Sequence, residues 1–196
     1  MLIIGISGQT GAGKSTAAKL LSSLGYGENL EVDSLGHDLL REPATIKALT
    51  KAFGEDILTD SQIDRKKLGA KAFVSPEATE KLNSIMHPNM VKMVERIITE
   101  EQKNGTKSII INAALLYKMK LNKLCDKIIY IKSDPEIRVK RLMETRGWSE
   151  ATARERLFSQ DQEPADKDVI IIENNGSVDD LRNKLQTTSS TLFETI

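Results

Sequence analysis

Short apolar runs separated by helical stretches organise this 196-residue chain. Leu2 to Ile6 suits a buried strand, and Ser15 to Leu24 has helical spacing closed by Gly25. Leu30 to Asp33 is expected as a second strand, and the helix after it, from Ser34, carries Leu35, Leu39 and Leu40 on a partial apolar face. Ser108 to Ile111, Ile128 to Ile131 and Val169 to Ile172 repeat the strand signal. These runs are rich in β-branched residues and lack polar alternation, as expected where helices cover both faces of a sheet. Their alternation with helices predicts an α/β fold built on a doubly wound, five-stranded parallel sheet.

Two stretches exceed what a simple crossover needs. From Pro43 to Lys103 the periodicity is helical almost throughout: Ile46, Leu49 and Phe53 share a face before Gly54, and Asp64 caps a helix with Leu68 and Phe73. Ser75-Pro76 starts another helix, His87-Pro88 is expected to break it, and Met90, Val91, Val94, Ile97 and Ile98 mark a longer one ending near Asn104-Gly105. The second stretch lies between the last two strands and is the most basic part of the chain. Asp134-Pro135 opens a helix with Arg138, Lys140, Arg141 and Arg146, Gly147 ends it, and Ser149 caps another with Arg154 and Arg156. One domain over 1–196 is expected, with a core of about 1–42, 106–134 and 165–196, a helical acceptor-binding insertion of about 43–105 and a lid of about 135–164.

Charge narrows the partners. Lys+Arg and Asp+Glu balance at 28 each, so no general attraction to nucleic acid or to a membrane surface is expected, and partners must be argued from sites. The single cysteine, Cys125, excludes an internal disulfide and a multi-cysteine metal cage, and reads as a core thiol. MLIIGISG has no basic leader, and no apolar run approaches a bilayer span, so a soluble cytoplasmic protein is expected.

The most specific chemistry lies at GQTGAGKS, Gly8 to Ser15, with Thr16 following. It fits GxxxxGK(S/T) at Gly8, Gly13, Lys14 and Ser15, in the strand, loop, helix order that a phosphate-binding loop requires. Glycines let the backbone wrap a polyphosphate with its N–H groups inward, and the helix start adds partial positive charge. ATP would be cradled by the amides of Gly11, Ala12, Gly13, Lys14 and Ser15; Lys14 would reach the β- and γ-phosphates, and the Ser15 hydroxyl would hold Mg²⁺. An ordinary glycine turn with a solvated lysine is the bland alternative. Asp33, at the carboxyl end of the second strand, is placed to face the γ-phosphate, or else to cap the following helix. Several arginines on a lid suit closure over a triphosphate, although Glu136, Glu144, Glu150 and Glu155 can neutralise part of that charge.

A nucleotide switch is a weaker fit. Asp33-Ser34-Leu35-Gly36 matches DxxG but follows Lys14 too closely, and the acid of Asn122-Lys123-Leu124-Cys125-Asp126 falls one residue late for NKxD. Phosphate loop, acid, helical insertion and arginine lid follow in the order of the nucleoside monophosphate kinase class. Within that class the chain resembles the dephospho-coenzyme A kinase family over nearly its whole length. GQTGAGKST, Asp33 in EVDSLGHDLL, Arg65 and Leu68 in DRKKLGAKAF, Leu82-Asn83 with His87-Pro88, Leu115-Leu116, Arg138 to Gln160 and Asn174-Asn175-Gly176-Ser177 carry the likeness. It implies phosphoryl transfer from ATP to the ribose 3′-hydroxyl of dephospho-coenzyme A, the last step of coenzyme A synthesis. On that resemblance Asp33 is the base, Arg138 or Arg141 reaches the transferring group, Arg65, His87 and Leu115 bind the acceptor, and Asn175 and Gly176 lie beside adenine; His87, before Pro88, can equally hydrogen-bond across a helix junction, and Asn175-Gly176 can be an ordinary turn. Departures fall on the acceptor side: Glu31-Val32-Asp33 stands for the family's DAD, His37 for an arginine, and Ala114 to Lys118 lacks a usual proline and glutamate. A nucleoside monophosphate kinase and a non-catalytic ATP-binding module are the alternatives.

Overall fold

The computed structural model describes residues 1–158 and 169–193. In chain order these form β1 (Leu2–Gly8), α1 (Lys14–Ser23), β2 (Glu28–Glu31), α2 (Val32–Leu39), α3 (Pro43–Phe53), β3 (Leu58–Thr59), β4 (Gln62–Ile63), α4 (Arg65–Ala72) and α5 (Pro76–Lys103). There follow β5 (Ser108–Asn112), β6 (Lys127–Lys132), α6 (Pro135–Arg146), α7 (Glu150–Phe158), β7 (Val169–Glu173) and α8 (Val178–Phe193). The chain divides into two compact units, residues 1–30 with 105–196 and residues 31–104.

The first unit is the doubly wound parallel sheet, in the order β2-β5-β1-β6-β7. β1 is central, with Ile4 opposite Ile110 on one side and Ile6 opposite Ile129 on the other. It is buried from Leu2 to Ser7, on both faces of the strand, which is why Leu2 to Ile6 reads as an unbroken apolar run. Ile4, Ile6, Leu21, Ile110, Ile129 and Ile131 are fully buried and meet Leu181 and Leu185 of α8 in one core. Cys125 packs over β1 at Gly5, where an added Cβ would lie 2.8 Å from Sγ. Burial, then the charge of Asp126, pushes this thiol up to about 12, so it is chemically quiet.

α6 begins on Asp134, whose Oδ1 accepts from the Glu136 amide at 3.0 Å, and ends at Gly147 in the left-handed conformation. Val139 and Leu142 of α6 pack on Ala153 of α7, with Trp148 and Leu157 against them. Arg154 ties the two helices, donating to both carboxylate oxygens of Glu136 at 2.7 and 2.8 Å and to Glu150. The expected lid residues 159–164, and residues 165–168 and 194–196 of the expected core, lie outside the described residues.

The second unit is mainly helical and begins at residue 31, so α2 belongs to it. The reason is packing: Gly36 of α2 lies against Met90 of α5, which binds α2 to the helices that follow. Three local expectations are corrected here. The second strand stops at Glu31, so Asp33 sits in the first turn of α2 and not at a strand end. Pro88 does not break the helix, since α5 runs without interruption from Pro76 to Lys103. Pro88 costs the bond to the Ser84 carbonyl, but Ser84 is exposed, and Met86, Met90, Val94 and Ile98 keep one buried face on both sides of it. The stretch after Gly54 also holds a short antiparallel hairpin of β3 and β4, turned by Asp60 and Ser61 at positive φ of 49° and 63°.

Candidate active site

The phosphate loop leaves the centre of the sheet where β1 ends. Gly8 sits at φ 141° directly against the Ile131 carbonyl, and Gly13 at φ 99° against the Asn174 side chain; neither position has room for a Cβ. Gly13 caps α1 without any side chain, and the first turn of α1 holds no acid. The helix start is thus shaped for an external anion. Lys14 bends back across the loop, its Nζ donating to the carbonyls of Gly8 at 2.8 Å and Gln9 at 3.2 Å. Ala12 is fully buried, while Ser15 and Thr16 are exposed on the first turn of α1.

The underside of the loop is fixed by a residue that sequence reading did not single out. Asn174 is 6% exposed, and its Nδ2 donates to the Ala12 carbonyl at 2.8 Å. Its backbone is clamped in turn: its amide donates to Lys132, and its carbonyl accepts from Ser133 Oγ at 2.8 Å and Arg141 Nη1 at 3.0 Å. Asn175 Oδ1 accepts from the Asp134 amide at 2.8 Å, and the Gly176 carbonyl accepts from Arg141 Nη2 at 3.2 Å. Arg141 therefore spends its guanidinium on the β7–α8 loop. The sequence marks Asn174 only as part of the turn-forming Asn174-Asn175-Gly176-Ser177 run that carries the family likeness, with no role for its side chain.

Arg138 has a different setting. Its backbone and Cβ stand 3.1–3.2 Å from where a Gly11 Cβ would be, so α6 lies directly against the phosphate loop. Arg138 is only 5% exposed, and its Nε and Nη1 have no hydrogen-bond partner among the described residues. Burial draws its pKa down, opposed by Tyr130 and Asp134. A buried guanidinium with unused donors strongly favours an incoming anion.

Within the second unit, Asp33 and His37 stand four residues apart on α2. Arg65 is the first residue of α4, whose start Asp64 caps by accepting from the amides of Lys66 at 2.9 Å and Lys67 at 3.1 Å. Those bonds, the Lys67 amide foremost, hold the Asp64 carboxyl below its usual range. Arg65 Nη2 contacts His37 Nε2 at 2.8 Å. His87 is half-buried inside α5, next to Pro88. Leu115, in the first unit, is 37% exposed on the turn after β5, whereas Leu116 is core.

A phosphate loop at the centre of a parallel sheet, with an arginine-bearing helix against it, defines a P-loop kinase. Residues 2–180 match the family model described as Dephospho-CoA kinase, and the chain belongs to that family, ATP-dependent kinases of coenzyme A biosynthesis. The dephospho-CoA kinase of Corynebacterium glutamicum is 38% identical over 191 residues, covering 95% of this chain and 97% of the relative. A dephospho-CoA kinase structure from Campylobacter jejuni aligns with a TM-score of 0.68 at 25% identity, covering 97% and 96% of the two chains. A crystal structure from Thermus thermophilus aligns with a TM-score of 0.74 at 28% identity, covering 97% of each.

Because Asn174 holds the loop from below, Asn174→Ala is expected to weaken ATP binding roughly 10-fold, the worth of one buried hydrogen bond. Calorimetric titration measures this. An unchanged ATP Kd would show that the loop keeps its shape without that bond.

Proposed function

We propose that this chain transfers the γ-phosphoryl group of ATP to the ribose 3′-hydroxyl of dephospho-coenzyme A, with Asp33 as base and Arg138 as the guanidinium that meets the transferring group. The observation that carries the donor half is Arg138, buried against Gly11 with Nε and Nη1 unused. Phosphoryl transfer asks for positioning and charge stabilisation more than for covalent chemistry. In this reading the amides of Gly11 to Ser15 hold the phosphates, and Lys14 exchanges the Gly8 and Gln9 carbonyls for β- and γ-oxygens. Thr16 continues the exposed start of α1. Arg141, through Asn174 and Gly176, shapes the loop assigned to adenine together with Asn175, so its part in ATP binding is to order that loop.

Mg²⁺ fits these residues. Ser15 offers an exposed hydroxyl, and among the described residues no cluster of three or more His, Cys, Asp or Glu side chains could hold a metal alone. A small hard cation that takes most of its oxygens from phosphates and water suits that donor set. Bound there, it would neutralise charge on the β- and γ-phosphates.

On the acceptor side we assign Asp33, Arg65, His87 and Leu115. Asp33 orients the hydroxyl and takes its proton as the new P–O bond forms and ADP leaves. Its place in the first turn of α2 suits a carboxylate, since a helix start favours negative charge. No helix of the described residues is long and apolar enough to cross a membrane. Dependence on ATP and a quiet single thiol suit a reducing cytoplasm.

Asp33→Asn keeps the shape and removes the base. It is expected to lower kcat on the order of 10²–10⁴-fold with little change in ATP affinity. Single-turnover transfer from labelled ATP measures it, and near-normal turnover would remove Asp33 from the reaction. Arg138→Lys retains charge but loses the planar fork, and is expected to lower kcat/KM by roughly 10²-fold or more. An unchanged value would make Arg138 a packing residue only.

A further inference from the structure

His37, on α2, is held in contact with Arg65 of α4. Arginine only donates hydrogen bonds, so the 2.8 Å contact between Arg65 Nη2 and His37 Nε2 requires that Nε2 accept. The tautomer that satisfies this contact carries its ring proton on Nδ1. An arginine in its place could not accept this bond and would set two cations side by side. The next acid along α2, Asp38, pairs with Arg41 at 3.7 Å, and among the described residues no carboxylate lies within salt-bridge reach of Arg65 or Lys66.

The pair stands at the edge of a cleft of about 530 Å³ between α2 and α4. Leu40, Leu68 and Phe73 form its apolar wall, and Arg65 and Lys66 supply positive charge. Phe73 is 69% exposed, unusual for a ring that serves packing alone. Asp33 lies four residues before His37, and side chains at that spacing are neighbours on one helix face, roughly 5–6 Å apart between Cβ atoms. An acceptor whose ribose 3′-hydroxyl meets Asp33 carries its diphosphate on C5′ of the same ribose, a span that a residue one helix turn along can reach.

We infer that this cleft is the subsite for the acceptor's diphosphate, with Arg65 as its ligand and His37 as the positioning residue that holds the Arg65 guanidinium by accepting its hydrogen bond. The inference rests on the acceptor assigned above and adds a role for His37. The apolar wall takes the chain beyond the diphosphate, and Lys66 adds a second, less directed charge. His37 acts on ground-state binding of the acceptor and not on the phosphoryl step.

Steady-state kinetics with saturating ATP and varied dephospho-coenzyme A test this in the wild type, His37→Ala, His37→Gln, Arg65→Gln and the His37→Ala/Arg65→Gln double variant. His37→Ala is expected to raise the acceptor KM roughly 5- to 10-fold, with kcat and the ATP KM within about twofold of wild type. His37→Gln, which keeps an acceptor oxygen, should restore most of that loss. In the Arg65→Gln background the alanine change should add nothing, because its partner is already gone. Unchanged acceptor KM in His37→Ala, no rescue by glutamine, or full additivity in the double variant would each overturn the subsite. If the wild type transfers nothing to dephospho-coenzyme A while still binding ATP, the acceptor assignment itself is what fails, and the subsite falls with it.

Discussion

The structure depends on one backbone constraint: between Gly8 and Gly13 the chain must turn where no side chain can fit. Gly8 is pressed against the Ile131 carbonyl and Gly13 against Asn174, and both have positive φ. Those contacts exist because β1 is the middle strand of the sheet, flanked by β5 and β6. The loop is thereby delivered onto the start of α1, and a helix start favours an external anion. Preorganised dipoles of this kind stabilise charge without rearranging when it arrives.

The same constraint separates two arginines of α6. They share a helix and stand three residues apart, yet Arg141 is spent on the carbonyls of Asn174 and Gly176 while Arg138 keeps unused donors against the loop. Arg141 builds the wall and Arg138 keeps its charge available. Arg154 serves neither purpose, since Glu136 and Glu150 hold it; their hydrogen bonds, Glu136 first, raise its pKa and fasten α7 to α6. A count of basic residues would have weighted the three alike.

What was legible in the sequence was local. The phosphate loop, the five strand runs and the cap at Asp134 each declare themselves within a few residues, because glycine freedom, β-branching and capping act at that range. Asn174 was not legible as a loop support, for its partner Ala12 lies 162 positions away. The path of α5 through Pro88 was misread because a local penalty was outweighed by a buried face of Met86, Met90, Val94 and Ile98. The Asp60-Ser61 turn escaped notice because it uses positive φ without glycine. The contact of His37 with Arg65 joins residues 28 positions apart, so the local sequence around neither residue announces it.

The central claim is that a donor site built on this loop delivers phosphate to one hydroxyl of one acceptor. Phosphorus NMR of the products formed from ATP, Mg²⁺ and dephospho-coenzyme A tests it most directly. The account predicts ADP together with a new phosphomonoester at the ribose 3′ position, in equal amounts. ADP with free phosphate alone, or an ester at another position, would contradict it.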